Sequence, residues 1–245
     1  MKKILFFAGM MFLAIIALSS CKKDDNTSTP ATFEDLLTGG ASATNGKTWV
    51  LSKDSYPSDD GGGPVTNDLF ALIPIPENIH ELLGKEYDNE FTFYYDGRYA
   101  INPVNDTVLA ATLSSSLSGI VYEWTQNELG LCGAQFSALT NASWTLHEED
   151  FTVDALANPL DNTTPPLHGN VTFTGKKWLS FSQGAYFGIL DVTTSTHVII
   201  KEVKENVMHV ALLVCMYQGV MNPGGLEYAA YPTHIFQLTY VPKAK

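Results

Sequence analysis

From residue 32 onward the apolar side chains fall in short alternating runs and seldom in the i, i+3, i+4 pattern of a helix, so the chain reads as β-rich. Glu90 to Ile101 is the clearest hairpin. A two-residue Asp96-Gly97 loop sets Phe93 opposite Ala100 and mixes the faces. A three-residue loop, Tyr95-Asp96-Gly97 with Gly97 left-handed, sets Phe93 opposite Tyr99 and Phe91 opposite Ile101, all on one face. Tyr94 and Arg98, the chain's one arginine, then share the other face with Thr92 and Ala100. Val198 to Val214 is a more apolar hairpin turning at Lys204-Glu205-Asn206, with Val198 and Ile200 facing Leu212 and Val210. Ser143 to Val153 reads as a third, pairing Trp144 and Leu146 with Val153 and Phe151 around His147-Glu148-Glu149-Asp150.

Single strands are expected at Gly46–Ser52, Ile120–Trp124 and Ile235–Val241, where Phe236, Leu238 and Tyr240 alternate. Val171–Leu190 holds two or three more, split at Gly175-Lys176 and Gln183-Gly184. Helices are short: Phe33–Thr38, with Thr32 as N-cap and Gly39-Gly40 as its stop, and a brief one at Ile79–Glu86. Residues 53–76, centred on Asp59-Asp60-Gly61-Gly62-Gly63-Pro64, read as loop, as do 158–166 and 218–232. Residues 102–118 give no firm pattern. The expected fold is one all-β antiparallel domain over residues 33–245, a barrel or a two-sheet sandwich, with short helices.

The amino terminus follows other rules. Lys2 and Lys3 precede an apolar run from Ile4 to Leu18, then Ser19-Ser20-Cys21. A basic start, a short apolar run and small residues before a cut site make residues 1–20 a secretory signal. The run falls short of the roughly 20 apolar residues that span a bilayer as a helix. Leu18-Ser19-Ser20-Cys21 resembles the bacterial lipobox, which implies that Cys21 becomes the acylated first residue of the mature chain. Each buried CH₂ of such an anchor contributes about 0.8 kcal/mol. Residues 22–32 are polar and without period, a flexible tether. Their Lys22-Lys23-Asp24-Asp25 resembles the surface-export signal of Bacteroidetes lipoproteins, which implies an outer-membrane protein facing outward.

Charge narrows the partners. The chain carries 14 basic and 26 acidic residues, net −12; losing Lys2 and Lys3 leaves 12 against 26, or −14. No basic face is available for nucleic acid, nor for electrostatic adhesion to anionic lipid. Of the three cysteines, Cys132 and Cys215 remain once Cys21 is acylated. An exported protein can keep a disulfide there, but Cys215 sits in the apolar Ala211–Met216, and the preferred reading is a buried free thiol.

Three stretches together carry a family likeness: Leu36-Leu37-Thr38-Gly39-Gly40 with Lys47-Thr48-Trp49, Phe91 to Gly97, and the strand-turn-strand from Ile189 to Leu212. They resemble the lipocalin-like and related all-β lipoproteins of Bacteroidetes, often encoded with glycan-utilisation machinery. Gly46-x-x-Trp49 stands where the calycin group has Gly-x-Trp, one residue longer here. The resemblance implies a lipocalin-like barrel, with a jelly-roll-like sandwich as the runner-up, and a ligand-capturing role with glycan favoured.

Catalytic signatures are missing from the sequence: no Gly-x-Ser-x-Gly, His-Glu-x-x-His, phosphate loop or Cys-x-x-Cys occurs. The six histidines are scattered without metal-ligand spacing, and His209 alternates with strand residues as a structural side chain. Glu148, Glu149 and Asp150 fall in an expected tight turn, where charge is simply solvated. Glu123, beside Tyr122 and Trp124, is the better acid for a glycosidase pair, which needs two carboxylates roughly 5–9 Å apart. Asp54, Asp59, Asp60 and Asp68 lack the alternating spacing of a calcium loop and read as a solvated acidic segment. Asp106-Thr107-Val108 resembles the Bacteroidetes O-glycosylation signal. Sugar rings stack on exposed aromatic faces, and Trp124, Tyr122, Trp178, Tyr186 and Tyr94 are the candidate ligand contacts; Trp49 and Trp144 belong to the core. The expectation is a lipid-anchored, non-enzymatic binding module needing no cofactor or metal, then an accessory subunit for an envelope protein partner, then a hydrolase.

Overall fold

The computed structural model describes residues 30–52, 60–67, 73–74, 89–111, 121–123, 131–156, 168–182, 184–191, 193–215, 219–222, 225–228 and 231–244. The signal, Cys21 and most of the tether lie outside them, as does the helix expected at 79–86. Residues Thr32–Lys245 form one compact unit. It holds a helix α1 (Phe33–Thr38) and strands β1 (Lys47–Leu51), β2 (Gly61–Pro64), β3 (Ile73–Pro74), β4 (Glu90–Phe93), β5 (Arg98–Asn102), β6 (Thr107–Ala111), β7 (Val121–Glu123), β8 (Leu131–Gln135) and β9 (Leu139–His147). β10 (Phe151–Leu156), β11 (His168–Phe173), β12 (Lys177–Phe181), β13 (Val198–Val203), β14 (Met208–Val214), β15 (Gly219–Asn222), β16 (Gly225–Tyr228) and β17 (His234–Pro242) follow.

Eight strands close on themselves. The order β1-β4-β5-β9-β12-β13-β14-β17 is that of the sequence, every pair antiparallel, and β17 returns to β1 through Trp49↔Pro242 and Leu51↔Tyr240. This is an up-and-down barrel, compatible with the lipocalin-like arrangement. Closure rules out the sandwich. The remaining strands are inserts between barrel strands: β2–β3, the β6-β8-β7 sheet, the β10–β11 hairpin and the β15–β16 hairpin.

Alternation assigns the two faces of the wall. Trp49, Phe91, Phe93, Tyr99, Ile101, Leu179, Val198, Val210, Leu212, Phe236 and Tyr240 belong to one buried cluster, the interior. The β4–β5 register is Phe93↔Tyr99 and Phe91↔Ile101, with Gly97 at φ 85°, as the three-residue loop requires. Val198↔Leu212 and Ile200↔Val210 likewise match the alternation. Opposite-parity residues Ile199, Ala211, Leu213 and Ile235 make a second cluster outside the wall, with Phe151, Ala155 and Phe173 of β10 and β11.

The Ser143–Val153 hairpin is a correction. Trp144 and Leu146 pair with Phe181 and Leu179 of β12, while Phe151 and Val153 pair with Phe173 and Val171. β9 belongs to the wall, and β10 has left it for the outer layer. Gly61–Pro64 is also a strand, not loop, because its glycines let the chain lie close to β17: a Cβ on Gly62 would stand 3.3 Å from the Phe236 ring. The Gln218–Pro232 loop contains the β15–β16 hairpin. Asp60 is buried and accepts a hydrogen bond from Thr239 Oγ1 at 2.6 Å, so it is not a solvated acid. Cys215 is a buried free thiol.

Candidate functional site

The antiparallel registers place the helix α1, the β4–β5 turn, the β13–β14 turn and the β10–β11 insert at one end of the barrel, and the inserts that follow β1, β5, β12 and β14 at the other. α1 seals the first end, packing against β1, β4 and β13. A capping box starts it, with Asp35 N donating to Thr32 Oγ1 and Thr32 N donating to Asp35 Oδ2, and Gly39 at φ 83° ends it. Trp49 Nε1 donates to Leu37 O at 2.8 Å. Lys47 Nζ donates to Leu36 O and Glu205 O, 2.7 Å each, and lies 4.2 Å over the Trp49 ring. Burial lowers the Lys47 pKa, partly offset by Glu205.

The other end is plugged by chain. Residues 184–190 do not continue a strand; Ala185, Tyr186, Phe187 and Ile189 are buried in the interior cluster. Phe187 meets Tyr240, Phe91 and Phe93 at ring separations of 4.6, 4.8 and 5.8 Å. Tyr99 Oη donates to Tyr186 O at 2.7 Å. Gly188 takes φ 74° where a Cβ would stand 2.6 Å from Tyr240 Oη. Thr194 Oγ1 donates to Ile189 O at 2.6 Å, and Cys215 N donates to Asp191 Oδ2, so the base of the plug is pinned. Among the described residues, these side chains occupy the interior at this end.

Outside the plug lies a cleft of about 460 Å³ whose described lining is Asp106, Gln135, Phe136 and Ser137. Its volume falls in the range of small-molecule sites. Among the described residues, two elements build it. A 3₁₀ turn, Val104–Asp106, is held by Val104 N donating to Asn89 Oδ1 at 3.0 Å, and Asp106 ends it at φ 54°, which Asp tolerates better than most residues. β8 runs antiparallel to β6 with Gln135 opposite Thr107, and Phe136 N donates to Asp106 O at 2.8 Å. The plug joins the same sheet: Leu190 N donates to Leu109 O at 2.7 Å and Ala111 N to Leu190 O at 3.0 Å. Phe136, half-buried, stands edge-to-face against Tyr186, with centroids 5.1 Å apart. A carboxylate, an amide, a hydroxyl and an aromatic ring therefore share one opening.

The sequence candidates fare differently. Tyr186 is fully buried, so its ring cannot stack on a ligand from the surface; the chain dives inward there because Gly184 and Gly188 permit it. Trp178 is 8 % exposed and covered: it stacks with His147 at 3.8 Å and His197 at 4.8 Å, and its Nε1 donates to Glu149 O. Its ring packs against His147, His197 and Phe151 in the outer layer. Tyr94 does face outward, with the Arg98 guanidinium 4.4 Å over its ring. Trp124 and Cys21 lie outside the described residues, as do the side chains of Tyr122 and Glu123. The three turn acids are engaged: Glu148 pairs with Lys177, Glu149 with His147 at 2.9 Å, and Asp150 accepts from Gly175 N at 2.8 Å. Backbone N–H donors, its own first, and then the His147 contact hold Glu149 below the usual carboxylate range. Among the described residues, no group of three or more His, Cys, Asp or Glu is placed to hold a metal ion.

Sequence reasoning missed the cleft. Phe136 is the single aromatic among the small and polar residues from 132 to 143, and that isolation was the available signal. No protein-family model matches the chain, and no curated protein matches it at a significant level.

Proposed function

We propose that this protein is an outer-membrane lipoprotein of the Bacteroidetes type, anchored through Cys21, whose barrel is a rigid scaffold for a non-enzymatic binding site. The ligand is a glycan or another small polar molecule, taken at the cleft of Asp106, Gln135, Phe136 and Ser137. One observation carries this reading: the interior is occupied by the 184–190 plug, while an open cleft beside it combines an aromatic ring with three polar side chains. Ring CH faces of a sugar suit Phe136, and its hydroxyls suit a carboxylate that accepts and an amide that does both.

The accessory-subunit reading has less support, since Tyr95 is the one large hydrophobic side chain exposed among the described residues. A glycan array probed with residues 30–245, which keep the Thr32 cap, tests the binding reading. Binding that the Phe136→Ala variant loses is the expected result; silence across the array removes the glycan. For the anchor, Cys21→Ser should leave the membrane fraction, and a variant that stays there contradicts the lipidation.

A further inference from the structure

We infer that Tyr186 is a concealed second contact of the same cleft, reached when the Phe136 ring turns aside, and that it accepts or donates one hydrogen bond to a hydroxyl of a neutral polyhydroxylated ligand. The inference rests on the cleft being the ligand site, and it assigns the inner group that site uses.

The starting point is a mismatch. The Tyr186 hydroxyl is fully buried and has no hydrogen-bond partner, the one such side-chain atom among the described residues. Leaving a buried donor unmade costs about 1–3 kcal/mol. Four other buried ring groups are paired: Trp49 Nε1 with Leu37 O, Trp144 Nε1 with Tyr94 O, Trp178 Nε1 with Glu149 O, Tyr99 Oη with Tyr186 O. A phenylalanine would fill the plug as well and carry no such cost, so packing does not explain the hydroxyl.

Phe136 is the partition. It lines the cleft on one side and meets the Tyr186 ring on the other, 85° apart in plane. It stands just past the end of β8, and its own N–H stays bound to Asp106 O, so the ring can change rotamer without breaking the β6–β8 ladder. Behind it, three phenols gather: burial raises the pKa of Tyr99, Tyr186 and Tyr240, Tyr186 and Tyr240 add to the rise at Tyr99, Tyr240 adds to that at Tyr186, and Asp60 to that at Tyr240. All are neutral donors at physiological pH. A ligand threading past Phe136 must also pass the Asp106 carboxylate on a protein of net charge −12, which disfavours an anion. A neutral sugar satisfies both conditions.

The test uses the full chain in detergent. Tetranitromethane nitrates accessible tyrosines, and peptide mapping locates the product. Phe136→Ala and the milder Phe136→Leu should expose Tyr186 while Tyr99 and Tyr240 stay protected. A Tyr186 that stays unreactive in both variants, or three tyrosines that rise together in both, overturns the partition. In the second arm, D-glucose, D-galactose, D-mannose and N-acetylglucosamine are titrated by ligand-observed NMR. A sugar that binds the wild type should bind Tyr186→Phe about tenfold more weakly, the loss of one hydrogen bond from a buried group. Equal binding overturns the role of Tyr186 and leaves the cleft standing; no binding of any of the four to either protein removes the sugar as the ligand of both.

Discussion

The two ends of the barrel are closed by different means. At one end a capped helix is bolted on by paired groups: Trp49 Nε1 and Lys47 Nζ reach the carbonyls of Leu37 and Leu36, and Glu205 O ties in the β13–β14 turn. At the other end the closure is chain turned inward, with a left-handed Gly188, an unpartnered Tyr186 hydroxyl and an open cleft beside it. Among the described residues, the helix end leaves no buried side-chain polar atom without a hydrogen bond. The other carries an unmet hydrogen bond at Tyr186 and, at Asp106, the one non-glycine residue with positive φ among the described residues, departures from local rules of the kind found at functional regions.

Truncation sharpens the contrast most. Trp49→Ala removes a fully buried indole and its hydrogen bond, and should cost about 3–5 kcal/mol in urea unfolding. Phe136→Ala, at the half-buried partition, should cost well under half of that. Equal losses would mean that the cleft end is as structural as the helix end.

Glycine substitutions come next. Gly188→Ala meets Tyr240 Oη and Leu212 Cδ1 inside 3 Å and must strain a left-handed residue, so a loss of about 2–4 kcal/mol is expected. Gly175→Ala, also left-handed at φ 64° but with nothing within 4 Å, should lose only about 1 kcal/mol. If both lose the same, the plug is not packed against β14 and β17.

How much of this was legible in the sequence depends on range. The β4–β5 register followed from one Gly97 and four alternating apolar residues, because turn and pattern lie within a dozen positions. Thr32, Gly39 and the β13–β14 pairs were readable for the same reason. Closure of Leu51 against Tyr240 was not, since no local feature says which distant strand edge a strand will meet. Phe151 was assigned to the wrong partner because its alternation is the same whether it continues the wall or covers it. Tyr186 reads as a surface ring in the sequence, because aromatics entering a lumen and aromatics facing water look alike in a Gly-rich run.

A smaller effect separates two phenols. Tyr99→Phe deletes a donor and orphans Tyr186 O, and should destabilise by about 1–2 kcal/mol. Tyr186→Phe deletes a hydroxyl with no partner, and should be neutral or gain up to about 1 kcal/mol. Reversed signs would show that Tyr186 already has a partner.

The least effect is one of pH. Burial holds His197 and His234 below the ordinary 6.5, and nearby His147 lowers His197 further. Each is neutral in the fold at pH values where the unfolded chain is already protonated. Their contribution is therefore whole above about pH 6.5 and lost as pH falls below it. His197→Gln should flatten the decline in stability between pH 7 and pH 5; an unchanged slope would assign the decline to other groups.

The filled interior is the claim on which the account stands, and titration with a fatty acid or an anilinonaphthalene dye, followed through tryptophan fluorescence, tests it most directly. The native protein should show no saturable uptake, since Phe187 and Tyr186 occupy the space such ligands need. Stoichiometric, saturable binding by the folded protein would contradict it and return the ligand to the lumen.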